Sequence, residues 1–196
     1  MFAFVLYFIY NNNISKEKIL MKTIRKTAVL AIVFIMLAAL FSGCGKNDDA
    51  PRGMIKASGK EADFVLYVPE TWTVDMSTAA VSAYCSKDDP SSVSLMAWEL
   101  DYSDTKLDEW WEMNLAENEK VFSEIELKNE EDMTVDGLYA KKYEYSARLG
   151  EYEYSVMQVA CIKGINVYVF TYTSIPESYE SHLADVNSVI SNMKIG

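Results

Sequence analysis

Histidine is nearly absent from this sequence, whose 196 residues include only His182. A Ser-His-Asp catalytic arrangement would have to be built on that residue, and no G-x-S-x-G segment accompanies it to form a nucleophile elbow. One histidine with so few cysteines cannot supply a zinc site of ordinary composition. No glycine-rich phosphate loop or dinucleotide fingerprint is present either. We therefore interpret His182 as a helix-surface or capping residue, and expect no catalytic residue, no metal site and no cofactor.

Positive charge is also scarce. From Cys44 to Gly196 the chain has 13 Lys and Arg against 28 Asp and Glu, a net charge of −15, compared with −11 for the whole sequence. Such an excess of acids makes nucleic acid and anionic lipid head groups poor partners. Acidic residues cluster at Asp88-Asp89 and at residues 130–132, where they could attract a divalent ion. Solvated acidic turns are the simpler interpretation.

No apolar run is long enough to be a permanent membrane span. The longest, residues 28–41, has fourteen residues, whereas a spanning helix needs about 20. Basic residues precede this run at Lys22, Arg25 and Lys26. A cationic start followed by a short apolar core is typical of a secretion signal.

The end of the apolar run indicates how this signal is processed. The segment Leu40-Phe41-Ser42-Gly43-Cys44 resembles the lipobox of bacterial lipoproteins, in which the cysteine receives a diacylglyceryl group and becomes the first residue after cleavage. This resemblance implies that Cys44 is a lipidation site and holds the protein on the extracytoplasmic side of the cell membrane. An ordinary signal peptide with Cys44 as an incidental thiol is the alternative.

These features predict the domain organisation. Residues 1–20 fit poorly before a signal, because their apolar run ends at Tyr10 and a polar stretch follows, so we interpret them as a gene-model extension. Residues 21–43 are then the signal peptide. Residues 44–61 are polar and rich in glycine and proline, which predicts a lipidated flexible tether. Residues 62–196 remain for one folded domain.

Hydrophobic periodicity predicts the elements of this domain. Alternation indicates strands and a 3.6-residue period indicates helices. The predicted strands cover residues 64–68, 72–74, 81–85 and 93–98, and the later hairpins turn at Asp136-Gly137, Leu149-Gly150 and Lys163-Gly164. Helices are predicted over residues 104–120 and after Pro176. The last hairpin is apolar on both faces, so we expect an α+β fold with an antiparallel β-sheet covered by helices on both faces.

Five aromatic residues form a candidate binding surface. Trp110 and Trp111 lie on the apolar stripe of the predicted mid-domain helix. A two-residue turn at Leu149-Gly150 would place Tyr145 opposite Tyr154, with Tyr143 on the same face. Burial of the tryptophans against a sheet, and cross-strand packing of the tyrosines, are the alternative interpretations.

Two thiols remain if Cys44 is acylated. Cys85 and Cys161 fall in separate predicted strands. An oxidising extracytoplasmic compartment would allow them to form a disulfide. Two buried free thiols are an equally good interpretation.

Three segments together suggest a family. They are F-x-L-x-x-P-x-x-W at residues 64–72, V-D-G-L-Y-A at residues 135–140 and Y-V-F-T-Y at residues 168–172. With a mid-domain helix and a closing amphipathic helix, residues 64–195 resemble the PsbP-like fold, an α/β/α sandwich found in extrinsic photosystem II subunits and small bacterial lipoproteins. The resemblance implies a non-enzymatic protein-binding or assembly module with an unidentified protein partner. A small-ligand-binding lipoprotein or cryptic hydrolase is the alternative.

Overall fold

The structure is a computed structural model that describes residues 50–75 and 80–196. The predicted extension (1–20), the signal peptide (21–43) and Cys44 lie outside the described residues. Their assignments therefore stay predictions. Within the described ranges, no helix is both long enough and apolar enough to cross a membrane.

Strands account for about half of the described chain. They are β1 (Met54–Lys56), β2 (Phe64–Val65), β3 (Tyr67–Pro69), β4 (Thr73–Asp75), β5 (Val81–Tyr84), β6 (Ser92–Glu99), β7 (Glu124–Val135), β8 (Leu138–Leu149), β9 (Tyr152–Lys163), β10 (Asn166–Ser174) and β11 (Lys194–Ile195). The helices are α1 (Leu107–Asn118), α2 (Pro176–Tyr179) and α3 (Leu183–Asn192), with a 3-10 turn at Glu180–His182 between the last two.

Seven strands form one antiparallel sheet in the order β4-β5-β6-β10-β9-β8-β7. Strand β10 lies in its centre, and eight of its nine residues are buried. This position confirms that the strand with two apolar faces is a central one, because only a central strand is shielded on both sides.

The hairpin turns follow the glycines of the sequence. Asp136 and Gly137 both adopt positive φ, 48° and 80° respectively. A two-residue hairpin turn of type I′ requires positive φ at both central residues. In the next two hairpins the glycine is the first central residue, so Leu149 pairs with Tyr152 and Lys163 with Asn166. The predicted registers were wrong by two residues in both hairpins. The faces were predicted correctly, because a shift of two keeps every side chain on its side.

Two small ladders lie outside the main sheet. Strand β1 pairs with β3, and the C-terminal β11 pairs with β2. The predicted single strand over residues 64–68 is therefore split, and it is not a member of the large sheet. Met54 is buried in the core, so the packed unit already includes part of the segment assigned to the tether.

The expected sandwich with helices covering both faces is wrong, and the fold is dominated by the sheet. Strands β7, β8 and β9 each have 12 residues, which corresponds to about 40 Å of extended chain. Helix α1 also has 12 residues, but only about 18 Å of length. It therefore covers less than half of those strands, and most of β7 is solvent-exposed.

Side chains pack against both faces of the large sheet. On one face, α3 and the small ladders pack over the sheet through a cluster that includes Leu66, Trp72, Leu95, Phe170, Tyr172, Val186 and Met193. On the opposite face α1 packs on β8 and β9 through Trp111 and Asn114. Met113, in the same helix, is 52% exposed.

Candidate functional site

The five aromatic residues predicted as a binding surface are all buried. Their exposed fractions lie between 0% for Tyr143 and 8% for Tyr154. The indole of Trp111 stacks on the ring of Tyr143, with centroids 3.9 Å apart and planes 4° from parallel. Tyr145 is opposite Val156 rather than Tyr154. Ring contacts join Trp110, Trp111, Tyr143 and Tyr145 into a packing layer between α1 and the sheet. Of the five residues, only Trp110 also lines the groove described next.

An open groove lies beside this layer, along α1 and the connection from β6. Its volume is about 540 Å³. Two large apolar side chains that line it are mostly exposed, Tyr102 at 72% and Met113 at 52%. The indole of Trp98 forms its floor together with Trp110, with ring centroids 6.4 Å apart. Exposed apolar groups beside a concave aromatic floor are typical of a recognition site.

Local hydrogen bonds hold the groove walls in place. The Leu100 amide donates to the Ile165 carbonyl at 2.8 Å, which ties the end of β6 to the β9–β10 turn. The Thr105 hydroxyl donates to the Tyr102 carbonyl at 2.9 Å. The Lys106 amide donates to the Glu109 carboxylate at 3.2 Å, a contact that caps the start of α1. The wall that carries Tyr102 is thus attached to both the sheet and the helix.

A chain of three buried polar residues holds α1, the helical wall of the groove, against the sheet. The Asn114 amide donates to Gln158 Oε1 at 2.9 Å, and Gln158 Nε2 donates to Thr171 Oγ1 at 3.3 Å. All three residues are buried, and a buried amide needs such partners because water cannot replace them. The contacts therefore fix the height of α1 over β9 and β10.

The groove is acidic. Glu99, Asp101 and Glu117 line it, and none of the described lining residues is Lys or Arg. Glu117 also pairs with Lys120 on the surface. The excess of carboxylates favours a cationic ligand, since charge complementarity speeds association and disfavours anionic competitors.

A second cluster, the Cys85–Asp89–His182 cluster, was missed by the sequence analysis. Asp89 Oδ2 and His182 Nε2 are 2.8 Å apart, and Cys85 Sγ lies within 4.8 Å of ligand atoms of both residues. The sequence predicts Asp89 in a solvated turn and His182 as a helix-surface or capping residue. His182 does hold the position before α3, but its side chain makes no capping hydrogen bond. Asp89 and His182 are 93 residues apart, so no local signal in the sequence connects them.

Electrostatics make this cluster a poor nucleophilic site. Burial raises the pKa of the Cys85 thiol, and the nearby carboxylates of Asp89 and Asp185 raise it further. Burial alone would raise the pKa of Asp89, but hydrogen bonds from Ser91 and His182 outweigh it and lower that pKa. A reactive cysteine needs a depressed pKa, so these surroundings favour the thiol over the thiolate.

Of the two alternatives left open for Cys85 and Cys161, a disulfide or two free thiols, the structure has the free thiols. The Cys85 amide bonds to Ser91, whose hydroxyl meets Ser174 at the end of β10, whereas Cys161 pairs with Tyr168. Six residues along β10 correspond to about 20 Å, and a disulfide needs Cα atoms within about 7 Å.

Comparison with known proteins identifies the fold. No protein-family model and no curated protein matches this sequence. Among solved structures, cyanobacterial PsbP (CyanoP) from Synechocystis superposes with a TM-score of 0.56 at 16% identity, covering 80% of this chain and 99% of that one. LpqN from Mycobacterium tuberculosis gives 0.53 at 12% identity, covering 72% and 89% of the two chains.

A yeast protein has the same fold. Mog1p from Saccharomyces cerevisiae superposes with a TM-score of 0.53 at 9% identity, covering 72% of this chain and 95% of its own. Identities this low establish shared architecture and nothing about activity. The described residues therefore have a PsbP-like fold, as the sequence motifs implied, in a form dominated by its sheet.

Proposed function

We propose that this protein is a lipid-anchored, extracytoplasmic and non-enzymatic module that binds a cationic segment of a partner protein in the groove beside α1. The proposal joins two parts of the chain. The lipobox predicts attachment through Cys44 and a location outside the cytoplasm. The acidic groove supplies a surface on which a partner can dock.

The groove is the observation that carries the binding function. Seven large apolar side chains are exposed in the described chain, and Tyr102 and Met113 are the two of them that line the groove. The adjoining acids Glu99 and Asp101 select against acidic partners. A segment with an aromatic or aliphatic side chain between lysines or arginines satisfies both features at once. Such a segment would bury its apolar side chain on Trp98 and place its cations over the rim.

The structural relatives are compatible with this role. Mog1p is a Ran-binding protein, so this fold supports protein recognition in that case. LpqN is involved in cell envelope biogenesis, which fits an extracytoplasmic assignment for the present chain. Neither relative identifies the partner, which we define by its chemistry alone.

Site-specific photocrosslinking in the native cell tests the proposal. A photoreactive amino acid replaces Met113 in the groove and, in a matched control, Leu127, an exposed apolar residue on β7. We expect an adduct from position 113 only, with the crosslinked peptide of the partner carrying net positive charge. The adduct should disappear when Glu99 and Asp101 are both changed to lysine. Identical adducts from both positions, or an adduct on an acidic segment, would contradict the proposal.

A further inference from the structure

The Cys85–Asp89–His182 cluster joins three parts of the fold at one point. Cys85 immediately follows β5, Asp89 lies in the loop between β5 and β6, and His182 is the residue before α3. One sulfur, one nitrogen and one oxygen atom are within 4.8 Å of one another. All three side chains are partly shielded from solvent, and the partner groove does not include them.

We propose that Cys85, Asp89 and His182 bind a single zinc ion, with water as the fourth ligand. Thiolate, imidazole and carboxylate together suit zinc, whereas calcium and magnesium prefer oxygen ligands alone. Zn–S bonds of about 2.3 Å and Zn–N or Zn–O bonds of about 2.0 Å place tetrahedral ligands about 3.3 to 3.6 Å apart. Because Cys85 Sγ lies no more than 4.8 Å from the other two ligand atoms, it has to approach them by about 1 Å at most. The Asp89–His182 pair, at 2.8 Å, opens by about half an ångström.

The loop already orients the carboxylate for this role. Asp89 Oδ1 accepts hydrogen bonds from the Ser91 amide at 3.0 Å and the Ser91 hydroxyl at 2.6 Å. Those bonds leave Oδ2 directed at His182. The Asp89 amide in turn bonds to Ser86 Oγ at 3.1 Å. Outer contacts of this kind fix the orientation of a metal ligand and strengthen binding.

The other two ligands are also held in position. The Cys85 amide donates to the Ser91 carbonyl at 2.8 Å, so the thiol and the carboxylate share one loop anchor. The ring of Trp72 meets the imidazole edge to face, with centroids 5.7 Å apart. Asp185 on α3 lies close enough to Cys85 to act on it electrostatically, which adds negative charge where a cation would bind.

Zinc binding has a defined proton balance. The Cys85 thiol loses its proton and forms the Zn–S bond as a thiolate. The proton of His182 Nε2, which faces the Asp89 carboxylate, moves to Nδ1, so that Nε2 donates its lone pair to zinc with no change in the charge of the imidazole. Asp89 binds through Oδ2 as a carboxylate. One proton is therefore released for each zinc ion bound, and no oxidant or reductant takes part.

Titration of the purified protein with zinc and then with cobalt(II) tests this site. We expect one ion per chain, and in the cobalt form a thiolate-to-metal charge-transfer band in the near ultraviolet. Cys85→Ser should abolish that band, and Asp89→Asn and His182→Gln should each weaken binding at least about tenfold, since even outer contacts are worth 10- to 100-fold. Asp88→Asn, which removes the neighbouring exposed carboxylate, should bind like the wild type.

Circular dichroism of every variant separates loss of the site from loss of the fold. Cys85→Ser replaces one sulfur atom by oxygen and should leave the fold intact. This variant therefore decides the test if His182→Gln unfolds. The proposal is overturned if the wild type binds no zinc, or if Cys85→Ser retains the stoichiometry and affinity of the wild type. A charge-transfer band that survives in Cys85→Ser but disappears in Cys161→Ala would assign the ion to the other thiol and also reject it.

Discussion

The indole of Trp111 lies flat against the phenol ring of Tyr143, with 3.9 Å between ring centroids. This stack joins the middle of α1 to β8, on the face of the sheet that carries no other long helix in the described chain. The same contact turns the outer edge of α1, with Met113, toward solvent. The packing of Trp111 on Tyr143 therefore determines which side of α1, the side with Met113, lines the groove.

Removal of this stack should destabilise the domain strongly. We expect Trp111→Ala to lower the free energy of unfolding by about 3 to 5 kcal/mol, because a buried aromatic ring leaves a cavity that the neighbours cannot fill. Met113→Ala, on the exposed side of the same helix, should change it by less than about 0.5 kcal/mol. Urea denaturation measures both values. Equal effects of the two substitutions would contradict the packing described here.

The hydroxyl of Tyr143 should be dispensable for stability. It is buried without a hydrogen-bond partner among the described residues, and an unsatisfied buried hydroxyl costs about 1 to 3 kcal/mol. Tyr143→Phe keeps the ring that stacks on Trp111, so the variant should be as stable as the wild type or more so. Thermal denaturation tests this expectation. A marked drop in melting temperature would show that the hydroxyl has a partner.

Acid should weaken the link between the β7–β8 turn and the C terminus. The Ile195 amide donates to Asp136 Oδ2 at 2.9 Å, and this bond, with Lys194, lowers the pKa of the Asp136 carboxyl. A carboxyl with a lowered pKa in the folded state stabilises above its unfolded pKa, about 3.9 for aspartate, and loses that contribution as the pH falls through the folded value.

Two variants isolate this contribution. The gap in stability between the wild type and Asp136→Asn should be largest near neutral pH and should shrink as the pH falls below about 4. Asparagine tolerates the positive φ of this turn. Lys194→Met should keep most of the pH dependence, because the amide bond is the larger cause of the shift. Urea midpoints measured at several pH values that show a constant gap would refute the assignment.

Lipid attachment should depend on Cys44 alone. We expect Cys44→Ala to abolish metabolic labelling with fatty acid and to leave the protein unprocessed or released. Cys161→Ala is the matched control, because its thiol is buried in β9 and cannot accept a lipid in the folded protein. Continued labelling of the Cys44→Ala variant would reject the lipobox.

The assignment of residues 1–20 as a gene-model extension has its own test. Detection of peptides from these residues in the native protein would reject it.

Local patterns predicted most of the strands and the three later hairpin turns, but not the pairing of β6 with β10. They also missed β7, because the acids at residues 130–132 were interpreted as a turn. Alternation and turn residues depend on neighbours in sequence, so the Asp136-Gly137 turn and the two-faced strand β10 were predictable. The strand register of the last two hairpins was not predictable, because a glycine such as Gly150 or Gly164 can occupy either of the two central positions of a hairpin turn. The sequence overestimated how much of the sheet the helices cover. An apolar stripe such as Leu107, Trp110 and Trp111 shows that one side of a helix is buried. It does not show how large an area of sheet that helix covers.

Neither site could be predicted, because each depends on long-range packing. Tyr102 and Met113 come together only after α1 settles on the sheet. His182, just before α3, meets Asp89 in the β5–β6 loop, 93 residues earlier in the chain. The aromatic residues that were predicted as a surface have large apolar rings, and the folded chain buries all five. Exposed Met113 was not distinguishable from core methionine by pattern.

The most direct test of the binding function follows the four indole N–H signals of the protein by NMR during titration with a short peptide that has a Phe-Leu pair between lysines. Trp98 and Trp110 line the groove, whereas Trp72 packs beside His182. We predict that the signals of Trp98 and Trp110 shift, that the signal of Trp72 does not, and that added salt weakens the effect. A peptide with glutamates in place of the lysines should cause no shift. Equal shifts with both peptides, or no shift of Trp98 and Trp110 with the lysine peptide, would contradict an acidic groove that binds cationic segments.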